Sequence, residues 1–563
     1  MAGATNVSGN NGGLTAKAYR GDGAVMLAFD LDEHLTQDLA GFAVKVTPPK
    51  GKPYFLPNRL NFTQGIHSTT KPGQRVWTTS DQAPFQKFRW VHFPPDDAEA
   101  SYTYTVQAMY FQKSDSLKQG PSVDIGLDVG YFHSGNMEMG FTRGYMSSQA
   151  YATKFKNAPF RPAGAKQLVY QTSPYAAQYV WLGYHARKMV FDFLNECIND
   201  KSITVDLFAY DLDEPDFVTG LTKLGSRLRA FLDNAPLHTK PGALEPEAKA
   251  MLAQSAGQGN VKTGHFKRFA HCKVLIQKKD GKPVKVLTGS ANFSVRGLYV
   301  QSNNVLIFDD PGTAALYEQA FDQAFNDTTA SQAGFPNSAI AKQWFDIKQA
   351  GLPPFSVCLS PHTSDAISLT KVAQEIAMAD SSVLFAVMEL EGGGEVLQEL
   401  QKVPSRTNVF SYGVTQSTTG LNLYKPGSAN GLLVPFSFLD KQVPPPFAQE
   451  FSGGMGQVIH DKFVVVDFND SEPVVFTGSS NLSSGGEVSN GDNLLAIYDR
   501  ATATAYGVEA IKMVDHYHFR AVMQSATKSD PLLLQTGGAA KPWWQSYYDP
   551  ANLKYHERML FIR

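Results

Sequence analysis

Two stretches of this chain carry the same set of reactive side chains. His271-Cys272-Lys273 returns 189 residues later as His460-Asp461-Lys462, and Thr288-Gly289-Ser290-Ala291-Asn292-Phe293-Ser294 returns at the same offset as Thr477-Gly478-Ser479-Ser480-Asn481-Leu482-Ser483. That register also maps Gly297 onto Gly486, Asn304 onto Asn493 and Asp310 onto Asp499. The matched positions are mostly polar or glycine, whereas the apolar positions between them vary. A shared fold alone would keep the apolar pattern and let the polar positions drift, so the repeat points to a shared site. His271–Gln277 and His460–Asp467 read as strands, whose alternate side chains share a face. His and Lys two apart then lie together, with Cys272 and Asp461 turned away. In the Gly-Ser-x-Asn that follows, glycine lets the backbone turn, and the hydroxyl and amide offer short hydrogen-bond donors. Two such faces brought together place two His, two Lys, two Asn and two Ser around one pocket. That set suits a phosphate, with cations and donors for its oxygens, one imidazole to attack phosphorus and one to protonate the leaving oxygen.

The surrounding sequence predicts the elements that hold these residues. A helix over Tyr184–Ile198, a strand over Ile203–Tyr210, a helix over Phe217–Leu224 and a strand over Arg227–Leu232 precede the first copy. A helix near Ala366–Ala379, a strand over Ser382–Met388, a helix near Val396–Gln401 and a strand over Asn408–Tyr412 precede the second. Alternating helix and strand indicates two α/β lobes. Ahead of them, Ala24–Asp30, Gly41–Thr47, Phe88–Phe93, Ser101–Tyr110 and Ser122–Val129 are short, rich in Val, Phe, Tyr and Thr, and separated by Pro, Gly and Asp, which predicts a β-sandwich. The fold expected is therefore multidomain: a sandwich over residues 14–130, a connecting segment over 131–177, lobe 1 over 178–350, lobe 2 over 351–527 and a C-terminal tail over 528–563, with one active site shared by the lobes.

His-x-Lys followed by Gly-Ser-x-Asn, twice, resembles the phospholipase D superfamily, whose motif is His-x-Lys-x4-Asp with a downstream Gly-Ser-x-Asn. The second copy matches throughout, at His460, Lys462, Asp467, Gly478, Ser479 and Asn481. The likeness spans residues 170–527 and is to bacterial-type members with two motifs; the Tyr102–Val106 run of the sandwich resembles a fibronectin type III strand. The resemblance implies a phosphodiesterase that needs no metal or cofactor and works through a phosphohistidine. One His is then the nucleophile, and the other is the acid that later activates water or an alcohol. Lys273, Lys462, Asn292 and Asn481 would neutralise the phosphoryl oxygens, with Ser290, Ser479, Asp467, Asp492 and Asn303 in support. Two departures stand out. The first copy has Lys278 where the motif's Asp belongs, with Asp280 out of register, which reads as a local rewiring. After Gly-Ser-x-Asn the second copy offers Asp492, where the first has Asn303. A carboxylate fixes a tautomer and makes the other ring nitrogen more basic, whereas an amide only orients. An Asp492 that reaches across the lobe interface would make His271 the nucleophile and His460 the acid. The expected substrate is a phospholipid headgroup ester, with nuclease, phosphatidyltransferase and non-catalytic binding protein as alternatives.

Length and composition bound these readings. With 563 residues, two to four domains are expected. Fifty Lys+Arg against 52 Asp+Glu give a formal charge of -2, which argues against coating of nucleic acid but leaves a local basic groove open. The 12% aromatic content argues against disorder. No apolar run is long enough for a membrane span, and the first 20 residues lack the pattern of a Sec signal, so a cytoplasmic protein, or one exported without a cleaved signal, is expected. Three cysteines (Cys197, Cys272 and Cys358) make no disulfide framework, and Cys272 is expected to pack behind its strand. His516 and His518 are expected on a helix face or surface rather than on a metal. Lys262, Lys267 and Arg268 with Phe266 and Phe269 could line a nucleic-acid track or an ordinary loop. Trp543, Trp544, Tyr547 and Tyr548 are expected to cap a domain seam, with membrane contact as the alternative. Gly392-Gly393-Gly394 reads as a flexible loop, and Ser452–Gly456 as a pocket rim. A ligand of the N-terminal domain is expected, of unknown kind.

Overall fold

The computed structural model describes residues 4–70, 76–94, 99–113, 116–164, 166–329, 331–388, 393–416, 428–429, 431–436, 447 and 458–563. Ser452–Gly456 and Gly392 lie outside the described residues. Among those described, no helix is long and apolar enough to cross a membrane.

Two four-stranded antiparallel sheets form the N-terminal part. One has the order Asn6–Asn11, Leu14–Arg20, Val25–Leu31, Arg89–His92; the other has the order Leu117–Val129, Ala100–Phe111, Leu39–Thr47, Tyr54–Phe55. Leu27 and Phe29 of the first sheet share a hydrophobic cluster with Phe42, Val44, Tyr104 and Val106 of the second. The strand Asn6–Asn11 carries the sequence NVSGNN, whose polar character gives no apolar alternation to read. The residues of 528–563 do not form a separate tail. Tyr547 is buried in the cluster between the two sheets, Trp543 Nε1 donates to Leu39 O at 2.9 Å, and the helix Leu553–Ile562 buries Leu560 and Phe561. Of the aromatic side chains of this segment Tyr547 and Phe561 are buried, and Trp543, Trp544 and Tyr548 pack half-buried against the sandwich cluster.

Each histidine motif sits in an eight-stranded sheet. The first has the order Phe132–Ser134, Met137–Phe141, Asn304–Phe308, Lys282–Gly289, Lys273–Lys279, Ile203–Ala209, Leu228–Asp233, Val261–Gly264. The second has the order Phe345–Ile347, Phe355–Ser360, Asp492–Ile497, Val474–Gly478, Phe463–Val466, Ser382–Val387, Phe410–Thr415, Gly431–Pro435. In both, the first five neighbouring pairs are antiparallel and the last two are parallel. Two expected boundaries therefore move. Residues 131–177 are no mere connection, since Phe132–Ser134 and Met137–Phe141 form a hairpin about Gly135, at φ 59°, and complete the first sheet. Phe345–Ile347, expected in lobe 1, is the edge strand of the second sheet.

The matching ends of the repeat explain themselves locally. Asp310 Oδ2 and Asp499 Oδ2 accept from the Thr313 and Thr502 N–H groups at 2.6 and 2.8 Å and cap the helices Pro311–Asn326 and Arg500–Ser525. Ser294 and Ser483 cap shorter helices through the Gly297 and Gly486 N–H groups. The lobes meet along a continuous hydrophobic cluster that includes Tyr317 and Leu306 of one and Tyr506 and Phe463 of the other.

A buried ion pair ties the N-terminal sheets to lobe 1. His185, on the helix Ala176–Asn199, stacks on Tyr131 at 4.0 Å and sets Nδ1 2.7 Å from Asp22 Oδ1. Asp22 also accepts from the Phe132 and Phe141 N–H groups at 3.1 and 2.9 Å. Burial disfavours the His185 imidazolium, but the Asp22 charge outweighs it and pushes the pKa up to about 9. A raised folded-state pKa contributes stability that is complete below the unfolded value of about 6.5 and is lost as pH rises through about 9. Unfolding midpoints should accordingly fall between pH 6.5 and 9, and urea titrations of His185→Ala should show about 3 kcal/mol of destabilisation at pH 6 with this pH dependence reduced.

Candidate active site

The Gly-Ser pair of each copy is built the same way. Gly289 and Gly478 have φ 141° and 135°, and a Cβ on either would lie 2.4 Å from a carbonyl oxygen, Asn304 O or Asn493 O. That close approach lets Ser290 N donate to Asn304 O and Ser479 N to Asn493 O, each at 3.1 Å. In return the Asn304 and Asn493 N–H groups donate to the two serine hydroxyls at 3.0 Å. Each hydroxyl spends its own proton on the side chain that braces a histidine: Ser290 Oγ on Asn303 Oδ1 at 2.8 Å, Ser479 Oγ on Asp492 Oδ1 at 2.7 Å. Both serines thus orient the bracing groups and are not turned to the pocket.

Those braces cross between lobes. Ser302 N donates to Val458 O and Gly491 N donates to Phe269 O, both at 2.8 Å, which is one contact made twice at the repeat offset. Asp492 Oδ1 consequently lies 2.7 Å from His271 Nδ1, and Asn303 Oδ1 lies 2.8 Å from His460 Nδ1. Asn303 Nδ2 is taken by Gly297 O at 2.8 Å, so the amide presents its oxygen to the ring. Each Nδ1 carries a proton toward its oxygen acceptor, which leaves Nε2 of both rings as the nitrogen with a lone pair.

The strands begin later than the sequence pattern suggests, at Lys273 and Phe463, so both histidines stand just ahead of them. Lys273 Nζ and Lys462 Nζ fold back on the carbonyls of His271 and His460, the second at 2.7 Å. Both lysines and both histidines are buried. Burial pushes Lys273 down to about 8. Burial also lowers the His271 pKa, and the two lysine charges add to this against the pull of Asp492. His460 lies well below the usual range, from burial together with Lys462, Lys273 and His271. Two imidazoles with lowered pKa values beside two lysine side chains favour an unprotonated Nε2 on each ring, a set able to bind a phosphate anion and attack its phosphorus.

The remaining expected residues fall as follows. Asn292 and Asn481 follow their serines, and each has a buried Oδ1 with no hydrogen-bond partner among the described residues. Asp467 is far from the pocket in function: at φ 54° it accepts from the Asp380, Ser381 and Ser382 N–H groups at 2.9, 2.7 and 2.9 Å and ties two strands together. In lobe 1 its counterpart Lys278 pairs instead with Asp206 at 2.7 Å and Glu318 at 3.4 Å. Cys272 is buried and its thiol is pushed up to about 12 by burial. His516 and His518 lie on the helix Arg500–Ser525. Lys262 Nζ donates to Phe325 O at 2.7 Å, and Phe266 packs on Phe335 at 5.1 Å, so these two face inward, whereas Lys267 and Arg268 are exposed.

Four residues at the site escaped the sequence pattern. Tyr210 sets its ring 4.7 Å from His271, and Lys273 Nζ lies 4.8 Å from the same ring. Asp211, His238 and Asp233 form a chain that ends on Asn292. The signal available was position: Tyr210 and Asp211 follow the carboxyl end of the strand Ile203–Ala209, and Asp233 ends the strand Leu228–Asp233, where α/β sheets place ligand-facing residues.

No protein-family model matches the chain, and neither does any curated protein. Among solved structures, phosphatidylserine synthase of Haemophilus influenzae Rd KW20 is similar with TM-score 0.41 and 11% identity, over 58% of this chain and 85% of that one. The phospholipase D family member Nuc of Salmonella typhimurium aligns with TM-score 0.21 and 24% identity, over 24% of this chain and 86% of that one. Yeast tyrosyl-DNA phosphodiesterase aligns with TM-score 0.29 and 11% identity, over 54% of this chain and 84% of that one. These likenesses are distant, and the chemistry of the site rests on its own side chains.

Proposed function

We propose that the protein is a phosphodiesterase of the phospholipase D superfamily, acting through a phosphohistidine and without a metal, on phospholipid headgroup esters. The observation that carries the reading is the paired and unequal bracing of the two histidines, a carboxylate on His271 and an amide on His460. In the first step His271 Nε2 forms a bond to phosphorus as the P–O bond to the leaving alcohol breaks, and the alcohol oxygen takes a proton from His460 Nε2. His460 must therefore enter protonated. Burial first, and then the lysine charges, hold the His460 pKa down; the negative charge of a bound phosphate offsets the lysines and favours the protonated ring. In the second step His460 takes a proton from water, the oxygen attacks phosphorus, and the N–P bond breaks. An alcohol in place of water would give transfer. Asp492 stabilises the charge on His271 while phosphorus is attached. Lys273, Lys462, Asn292 and Asn481 meet the charge on the non-bridging oxygens.

The near-balanced charge and the inward-facing Lys262 and Phe266 support a lipid ester over a nucleic-acid track. In this reading the N-terminal sheets form a fibronectin-like sandwich that presents the two lobes, which contact a membrane peripherally. The test is cleavage in EDTA of phospholipid vesicles and of single- and double-stranded DNA in parallel, by the wild type, His271→Ala and His460→Ala. Metal-free headgroup release lost in both variants is expected; DNA cleavage lost in both would make it a nuclease, and activity that needs metal and survives both would remove the reading. The pH profile adds a check. Lys273 loses its charge above about pH 8, so kcat/KM should fall along an alkaline limb near that pH.

A further inference from the structure

We propose that Asp211 is a positioning residue that turns the donor end of the Asn292 amide to the phosphoryl oxygens, and that His238 and Asp233 hold it there; the inference rests on the phosphodiesterase reading above. Asn292 Nδ2 donates to Asp211 Oδ2 at 2.7 Å. Asp211 Oδ1 lies 2.7 Å from His238 Nε2, and His238 Nδ1 lies 2.7 Å from Asp233 Oδ2. Asp233 Oδ1 then accepts from the N–H of Ala270, the residue before His271, at 2.6 Å. One chain of carboxylate, imidazole and carboxylate thus links the motif asparagine to the backbone that carries the nucleophile. Asn292, His238 and Asp233 are buried, so little solvent competes with these bonds.

A carboxamide has a donor end and an acceptor end, and phosphate oxygens only accept. With a carboxylate on either side, His238 keeps a proton on both nitrogens: burial opposes this, but the bonds to Asp211 and Asp233 prevail and raise its pKa to about 10. Asp211 therefore stays ionised. Against an ionised carboxylate the flipped amide would press Oδ1 on a negative oxygen, so only Nδ2 can face Asp211. An NH2 group has two hydrogens, and the one not given to Asp211 is left for the substrate. This orientation has a visible cost, because Asn292 Oδ1 is buried with no hydrogen-bond partner among the described residues. Holding a donor ready for an anion accounts for an amide kept in that state. Tyr210, with its ring 4.4 Å from His238 and 4.7 Å from His271, separates the chain from the reacting imidazole, so Asp211 acts through Asn292, and through its charge on Lys273, rather than on the His271 ring.

The experiment is a double-mutant cycle on Asp211 and Asn292, read by calorimetric binding of orthovanadate, a phosphoryl mimic, and by kcat and KM. Asp211→Ala and Asn292→Ala should each weaken vanadate about 10-fold and lower kcat about as much, with KM little changed, and the double variant should be no worse than Asn292→Ala. Asp211→Asn, which keeps the size and fold but lets the amide turn, should fall between the wild type and Asp211→Ala. Losses that multiply in the double variant would overturn the proposal. So would tight one-to-one binding of Mn2+ abolished by His238→Ala, because ligand atoms of Asp211, His238 and Glu245 lie within 4.8 Å of one another and such binding would assign the cluster to a metal. Wild-type protein that binds no vanadate would remove the phosphodiesterase reading, and this proposal with it.

Discussion

Replacing His271 or His460 by Ala is expected to lower turnover by about 10^4-fold or more, and replacing both should cost little beyond the worse single change, since groups that act as one unit are not additive. The two variants separate when the leaving group is varied. A natural alkoxide leaves only with a proton, so His460→Ala stalls at the first step on a lipid. A p-nitrophenyl phosphodiester leaves without one. His460→Ala should then still release a burst of about one nitrophenolate per protein and stop at the covalent stage, where no base remains to activate water. His271→Ala should give no burst with either substrate. Rapid-mixing absorbance measures this directly, and a burst from His271→Ala together with none from His460→Ala would exchange the two roles.

Asp492→Asn is expected to cost about 10^2-fold and to weaken the distinction between the two histidines. The reason lies in what the substitution leaves intact. Ser479 Oγ accepts from Asn493 N–H, so its own proton is directed at position 492 and holds an acceptor oxygen there. The His271 tautomer is therefore kept, as Asn303 keeps that of His460. What is lost is the full negative charge beside His271, which makes Nε2 a better nucleophile and stabilises the phosphorylated ring. The site then resembles itself under the pseudo-two-fold repeat, and phosphohistidine should form on both His271 and His460. Asn303→Asp moves the opposite brace and should shift the label toward His460. A loss nearer 10^4-fold in Asp492→Asn would show that the tautomer had changed as well.

The candidate site was legible because the repeat keeps polar residues in register, but polarity alone did not say what each one does. The two histidines and the two lysines lie close enough to shift one another's protonation. Asp310 and Asp499, in the same register, are helix caps, and Asn304 bonds Asp461 at 3.2 Å in the lobe interface, so part of the polar repeat preserves the fold. The strand starts were set too early because a histidine and a lysine two apart fit a strand, whereas the backbone before Lys273 is pulled aside to pair with the other lobe. The hairpin of residues 132–141 and the core role of Tyr547 depend on contacts distant in sequence, and no local pattern encodes those. Asp211 lies on a loop and His238 on the short helix Pro236–Thr239, and neither recurs at the repeat offset, so self-similarity could not find them.

The most direct measurement is to quench the protein in alkali during turnover of a phosphodiester labelled at phosphorus and to locate the label by peptide mass spectrometry. Alkaline quenching preserves phosphohistidine, and the account predicts one label per chain, in EDTA, on His271. A label on His460 would contradict the assignment of roles, and cleavage at full rate with no covalent phosphoprotein under alkaline quench would contradict the mechanism itself.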